Sequence, residues 1–227
     1  MTLMKKLFTL AALVLCALTL NAQTTISFSE KKDAGSLDGQ TITSTLEGFS
    51  LTVTDTKGKV VVDGSNARFG TAESNTSYSY RLKTGGKSSD ANNMSITIPT
   101  SGTLQICVRT GSNSATNRNL VLTQDGKELY NEVVQESDAT QITLDEGKTS
   151  NVYPVISVAV GKGTVDITYP TGSLNFYAFI FTPTATGINS TMQTKKADGA
   201  EYNLAGQRVD KNYKGIVISD GKKVIRK

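Results

Sequence analysis

The sequence predicts an all-β fold: an antiparallel, jelly-roll-like β-sandwich followed by a short C-terminal β-hairpin unit. Three observations predict it. Between Thr24 and Pro183 the chain breaks into short runs that alternate apolar and polar residues or are rich in Val, Ile and Thr. Gly, Asn, Asp and Ser interrupt those runs at short intervals. No stretch sustains a helical periodicity over several turns. About ten strands at such spacing fit a sandwich or jelly roll.

Each run has its own justification. FSLTVTD alternates through Phe49, Leu51 and Val53, KVVVD follows the Lys57-Gly58 turn, and YSYRLKT stops before Gly85-Gly86. NMSITIP sets Met94, Ile96 and Ile98 on one face and ends at Pro99. GTLQICVRTG sets Leu104, Ile106 and Val108 on one face and Gln105, Cys107 and Arg109 on the other. RNLVLTQDGKELY reads as a hairpin closed by Asp125-Gly126. KELYNEVVQES has helical spacing through Leu129 and Val133, but Gly126 before it and Val133-Val134 within it favour a strand. YPVISVAV, GTVDITY and SLNFYAFIF complete the series. The last is apolar on both parities, Phe176 and Ile180 against Tyr177, Phe179 and Phe181, which predicts a central strand covered on both faces.

The ends of the chain differ from its middle. Lys5 and Lys6, the apolar run Leu7 to Leu20 and the small Ala22 predict a signal peptide over 1–22, with export and no transmembrane span in the mature protein. Leu15, preceding Cys16, argues against lipid attachment there. Cleavage after Ala22 leaves Cys107 as the sole cysteine, so no internal disulfide can form. Residues 23–183 are long enough to hold together through a core. Residues 184–200 read as a linker and 201–227 as a small β unit. Residues 23–194 carry 13 Lys/Arg against 16 Asp/Glu, whereas residues 195–227 carry 9 against 4. The basic balance therefore belongs to the tail, and nucleic acid is not an expected partner.

The tail carries a resemblance. Thr186-Gly187-Ile188, then YNLAGQRV, then KGIVISDGKKVIRK resembles the C-terminal sorting domain of type IX secretion. In that family a Gly-Arg/Gln-Val strand precedes a Gly-Ile-Tyr-Ile-type strand, a Gly turn and terminal lysines. Val217 stands here where an aromatic is common, and the unit is shorter than the family's full domain. The resemblance, beginning near residue 186, implies recognition by secretion machinery, passage to the outer surface and removal of the tail. The core is similar, more loosely, to β-sandwich modules beside secreted pectate lyases, through YRLKTGG, MSITIPTSGTLQICVRTGS, NRNLVLTQDGKEL and SLNFYAFIFTP.

The chemistry is narrowed by one fact: the chain has no histidine. Ser-His-Asp and Cys-His catalysis and His-ligated metals are thereby excluded. Asp63-Gly64-Ser65-Asn66 begins like a calcium loop but lacks the third ligand and distal Glu of an EF-hand. No cofactor is evident, and a structural calcium held by loop oxygens has no locatable site. Glu128, Glu132, Glu136 and Asp138 cluster locally and read as the solvated charges of an edge strand. Cys107 reads as a semi-buried, inert thiol. Sugar binding asks for rings to stack on and planar donors for hydroxyls. With no tryptophan, Tyr78, Tyr80, Tyr153 and Tyr177 are the stacking candidates, although Tyr177 reads first as core. Arg81, Arg109, Arg118 and Asn119 supply forked donors that would also suit uronates. The expected ligand-binding set is Tyr78, Tyr80, Arg81, Arg109, Arg118 and Asn119. The expectation is a secreted or surface-displayed, non-catalytic protein that binds polysaccharide, acidic forms included. An adhesive protein that binds other proteins is the first alternative. A small polysaccharide lyase or hydrolase is the second, with Lys83, Arg81 and Arg109 as its candidate groups.

Overall fold

The computed structural model describes residues 23–32, 34–184, 201–203, 206–210, 213–219 and 222–226. The leader, Thr186-Gly187-Ile188, nearly all of the linker and the Asp220-Gly221 turn lie outside the described residues. The chain divides into two compact units, Met1–Ala185 and Thr186–Lys227.

The first unit is a β-sandwich. Its strands, in chain order, are β1 (Thr24–Ser27), β2 (Thr41–Thr43), β3 (Ser50–Asp55), β4 (Val61–Gly70), β5 (Asn75–Lys83), β6 (Asn92–Ile98) and β7 (Gly102–Thr110). There follow β8 (Asn119–Gln124), β9 (Lys127–Val133), β10 (Thr140–Thr143), β11 (Thr149–Tyr153), β12 (Ile156–Val160), β13 (Gly163–Thr168) and β14 (Leu174–Pro183). One sheet runs β10-β11-β4-β5-β14-β7-β12, with β1 also paired to β14; the other runs β2-β3-β6-β13-β8-β9. Counting only β5 to β9 and β12 to β14, the two sheets read first-eighth-third-sixth and second-seventh-fourth-fifth. That is the jelly-roll order, two Greek keys wound across the sandwich. β1, β4, β10 and β11 extend one sheet, and β2 and β3 extend the other.

The local chemistry explains the path. Asp125 and Gly126 both take positive φ, 52° and 74°, closing β8 and β9 as the two-residue hairpin that Asp-Gly favours. KELYNEV forms β9, the strand expected from its Val-rich end. The short β1, β2, β10 and β11 were not legible as strands, because TTIS, TIT, TQIT and TSNVY carry too few apolar positions to show a period. β11 also departs from the antiparallel expectation, running parallel to β4 through Val152↔Arg68 and Tyr153↔Phe69.

β14 is the central, doubly covered strand that its sequence predicts. β7 pairs along one edge, while β5 and then β1 share the other. Its faces are not those of simple alternation, however. The register slips between Phe176 and Ala178, so Phe176, Phe179 and Phe181 all enter the core between the sheets. Phe176 and Phe179 stack at 5.5 Å between centroids, and Phe181 stacks on Phe49 at 5.4 Å. Tyr177 and Ala178 turn the other way, into a second cluster with Phe69, Cys107 and Tyr153.

The second unit is a four-stranded sheet: β15 (Glu201–Asn203), β16 (Arg208–Val209), β17 (Gly215–Ser219) and β18 (Lys222–Arg226), in the order β16-β15-β17-β18. It contains the expected hairpin, β17 with β18, and adds two strands to it.

Candidate functional site

The second aromatic cluster lies on the face of the eight-stranded sheet turned away from the inter-sheet core, and two bulges build it. In β14 the slip described above aims Tyr177 outward. In β4 the register slips between Gly64 and Ala67 opposite β5, so that one more residue is accommodated there. Across that stretch Asp63 turns to Arg81, Ser65 to the Tyr177 hydroxyl at 3.2 Å, and Asn66 to a neighbouring cleft. Phe69 sits at the centre of the rings, 5.1 Å from Tyr177, 5.7 Å from Tyr153 and 6.1 Å from Tyr78. Such ring packing holds the surface rigidly from below.

On this base rests a polar cleft of about 370 Å³. The Arg109 guanidinium lies over the Tyr153 ring, 4.8 Å from its centroid. Its Nη2 donates to Asn113 Oδ1 at 2.9 Å and to Glu136 Oε2 at 3.1 Å. Glu136 Oε1 accepts from the Tyr153 hydroxyl at 2.5 Å and from Asn151 Nδ2 at 3.3 Å. Glu136 opens a single 3₁₀ turn, Glu136–Asp138, closed by a reciprocal bond pattern between Gln135 and Asp138. Three elements therefore fix one carboxylate: the turn that carries it, β11 through Asn151 and Tyr153, and β7 through Arg109.

The electrostatics follow. The Tyr153 hydroxyl is pushed up to about 12, first by burial and then by its hydrogen bond to Glu136. Burial pushes the Cys107 thiol up to about 11, and Tyr78 is raised by burial and by Cys107 beside it. A raised thiol behind a wall of rings is a poor nucleophile. Arg109 and Glu136 offset each other's charge, so the cleft presents donors and acceptors with little net field.

The expected site residues separate into groups. Arg109 stands in the cleft, and Tyr153 forms its floor. Tyr153 is only 4% exposed and its ring is covered by Arg109, so it supports the guanidinium rather than offering an open platform. Tyr78 packs in the ring cluster on the same sheet face, whereas Tyr80 packs against the core between the sheets. Arg81 spends its fork on Asp63, at 2.6 and 3.1 Å, so both Asp63 oxygens are occupied. Arg118 Nη1 donates to the Thr171 carbonyl at 2.6 Å. Asn119 is held by Thr171 Oγ1 at 2.7 Å and donates to Asn131 Oδ1 at 3.2 Å. These last two belong to the β8 end of the other sheet and do not line the cleft. Tyr177 is fully buried, and Cys107 is more deeply buried than expected, at 1% exposed.

Glu136 corrects the reading of the acidic cluster. Glu128, Glu132 and Asp138 are exposed, but Glu136 turns inward to Arg109, Tyr153 and Asn151. Asn66, Asn113 and Asn151 were missed altogether. No spacing in the sequence announces them, since each comes from a separate loop or strand that only the fold brings together.

No family model matches the chain, and no curated protein matches it. Three solved structures give distant likenesses to carbohydrate-related proteins. One, concerned with the Ruminococcus flavefaciens cellulosome and an expansion in glycan recognition, is 13% identical, with 71% of this chain and 94% of that chain covered at a TM-score of 0.35. The catalytic unit of a thermostable GH87 alpha-1,3-glucanase from Streptomyces thermodiastaticus strain HF3-3 is 12% identical, with 67% of this chain covered at a TM-score of 0.34. A GH87 alpha-1,3-glucanase catalytic domain in complex with tetrasaccharides is 10% identical, with 60% of this chain covered at a TM-score of 0.32. This chain spans 28% of the length of each glucanase chain.

Proposed function

We propose that the sandwich unit is a non-catalytic glycan-binding accessory module whose ligand lies in the Arg109–Glu136 cleft. The observation that carries this reading is the convergence of Arg109, Asn66, Asn113, Asn151 and Glu136 on one open cleft above a rigid floor. Planar amides and a guanidinium match the paired hydroxyls of a sugar ring, and the bonds that join Arg109, Asn113, Glu136 and Asn151 hold those four in place before a ligand arrives. The offset of Arg109 by Glu136 favours neutral, hydroxyl-rich glycans over uronates. Among the described residues Glu136 is the one carboxylate lining the cleft, and its bonds to three neighbours commit it to holding the site. Glycoside hydrolysis commonly needs a pair of carboxylates facing the bond. The leader and the sorting-like tail support secretion or display at the outer surface, with the secretion machinery as the tail's partner.

A panel of neutral and uronate-containing polysaccharides tests the reading, with retention and released oligosaccharide measured on the purified chain. Retention of a neutral polymer without product is expected, and Arg109→Ala should lower it by about tenfold or more, the loss of hydrogen bonds from a charged donor. Released product would make the protein an enzyme. Retention that survives both Arg109→Ala and Asn151→Ala would move the site elsewhere.

A further inference from the structure

The C-terminal sheet exposes apolar side chains out of proportion to its size. Of the seven large apolar side chains exposed among the described residues, four stand on its strands, Tyr202, Ile216, Val224 and Ile225, and a fifth, Tyr213, lies just before β17. β18 is an edge of that sheet, and among the described residues it pairs with β17 alone. The register fixes what each face carries. Val224 lies across from Val217, which is fully buried, and Arg226 on that side reaches Glu201 at 2.6 Å. On the opposite face Ile225 lies across from Ile216, and Ile218 from Tyr202. Ile225 is 74% exposed and Val224 44%.

β18 is therefore apolar on both parities while standing at an edge. Elsewhere in this chain that pattern belongs to β14, which is covered on both faces and paired along both edges. An edge strand with open apolar faces is a template for another strand unless charges guard it. Here the only guards on the strand itself are cationic, Lys222, Lys223 and Arg226.

We propose that β18 is a docking edge for an extended, acidic segment of another protein, which adds a strand beside Lys222–Arg226. The added strand would pair with the open backbone edge and cover Val224 on one face and Ile225 on the other. Its chemistry follows from the exposed Lys222 and Lys223, which face opposite sides and call for a carboxylate across from each. A second copy of this chain, which brings the same lysines to the edge, is the poorer fit. Antiparallel self-pairing about Val224 sets Lys222 opposite Arg226 at both ends, and in-register parallel pairing sets each cation beside its twin. Like charges in those positions destabilise a sheet. The proposal is independent of the glycan reading.

The test titrates the purified full chain with two capped peptides, Glu-Val-Ile-Glu-Glu and Lys-Val-Ile-Lys-Lys, following fluorescence anisotropy and amide exchange in 222–226. The acidic peptide should bind about tenfold more tightly than the basic one, slow exchange in that strand, and weaken with salt. In the double variant Lys222→Glu and Lys223→Glu, both at exposed positions, the preference should invert. Equal affinity for the two peptides, or no protection of 222–226 by either, would overturn the proposal. So would self-association of the chain through β18 that the acidic peptide fails to disrupt.

Discussion

The two outer faces of the sandwich are built on the same jelly roll, both are polar, and each holds a hollow of similar size, about 370 Å³ on one and about 410 Å³ on the other. They are organised in opposite ways. Across the six-stranded sheet the register from β2 through β3, β6 and β13 to β8 is unbroken, and it lines up Thr41, Thr52, Ser95, Asp166 and Thr123 in a row. Short side chains at even spacing cannot converge on a point. On the eight-stranded sheet two bulges break the alternation, raise Tyr177 among the rings and bring Asn66 to the cleft that Arg109 and Glu136 share. Convergence at the cleft draws on broken register at Asn66 and on the turn and loop that bring Glu136 and Asn113 to β7 and β11, and bulges are commonly found near binding sites.

The largest test of that contrast removes the ring at its centre. Phe69→Ala should cost about 3–5 kcal/mol, because the ring is 2% exposed and touches three others. Urea unfolding would measure the loss, and glycan retention should fall with it as Tyr153 and Arg109 lose their support. A cost below about 1 kcal/mol would show that the cluster does not hold the cleft.

Alkali supplies the next test. Tyr153 ionises near 10 in the unfolded chain and near 12 in the folded one, so its contribution is fully present below pH 10 and is lost as pH rises through 12. Cys107 adds a loss between about 9 and 11, and Tyr78, Tyr130 and Tyr169 are also raised by burial. Thermal unfolding should therefore fall steeply above pH 10. Tyr153→Phe should shallow that fall while lowering stability at neutral pH, through loss of the bond to Glu136. An unchanged alkaline slope in Tyr153→Phe would contradict the assigned environment.

Legibility in the sequence divides along the same line as the two faces. Where alternation is unbroken, reading was direct: Leu51 and Val53, Met94, Ile96 and Ile98, and Leu104, Ile106 and Val108 all lie in the inter-sheet core. The Asp125-Gly126 hairpin was equally plain, since its φ values are a property of the dipeptide. Alternation fails at β14, where parity groups Phe176 with Ile180, because a one-residue slip reverses parity and leaves no mark in composition. The cleft suffered the same way. Arg109 was legible as a forked donor on a strand face, but Glu136 looked like one more solvated acid. Its inward turn depends on Tyr153 and Asn151, residues that neighbour it only after β11 joins β4.

Arg81 sharpens the comparison within the organised face. It shares that face with the cleft, yet its fork already meets Asp63, with side chains 21% and 37% exposed. Arg81→Ala should therefore change stability by no more than about 1 kcal/mol and leave glycan retention intact, in contrast to Arg109→Ala. Loss of retention in Arg81→Ala, scored beside Arg109→Ala in the same assay, would extend the binding surface along β4 to the Asp63–Arg81 pair.

The smallest effect belongs to the ordered row on the other sheet. Thr52 sits between Thr41 and Ser95, and its hydroxyl meets Thr41 Oγ1 at 3.4 Å, a contact at the outer limit of hydrogen bonding. Thr52→Ala removes one hydroxyl and one methyl from a solvated face and should shift stability by about 0.5 kcal/mol or less. It should leave retention unchanged, because Thr52 lies in the regular part of the row and lines neither the Arg109 cleft nor the hollow beside Asp166 and Thr123. Thr52→Lys goes further, placing a long cation on a stretch of sheet that otherwise presents short side chains. If binding occurs only at the Arg109 cleft, that substitution is silent too. A loss of retention in Thr52→Lys, with stability preserved, would mean that the regular face takes part in binding and that broken register is not what creates the site.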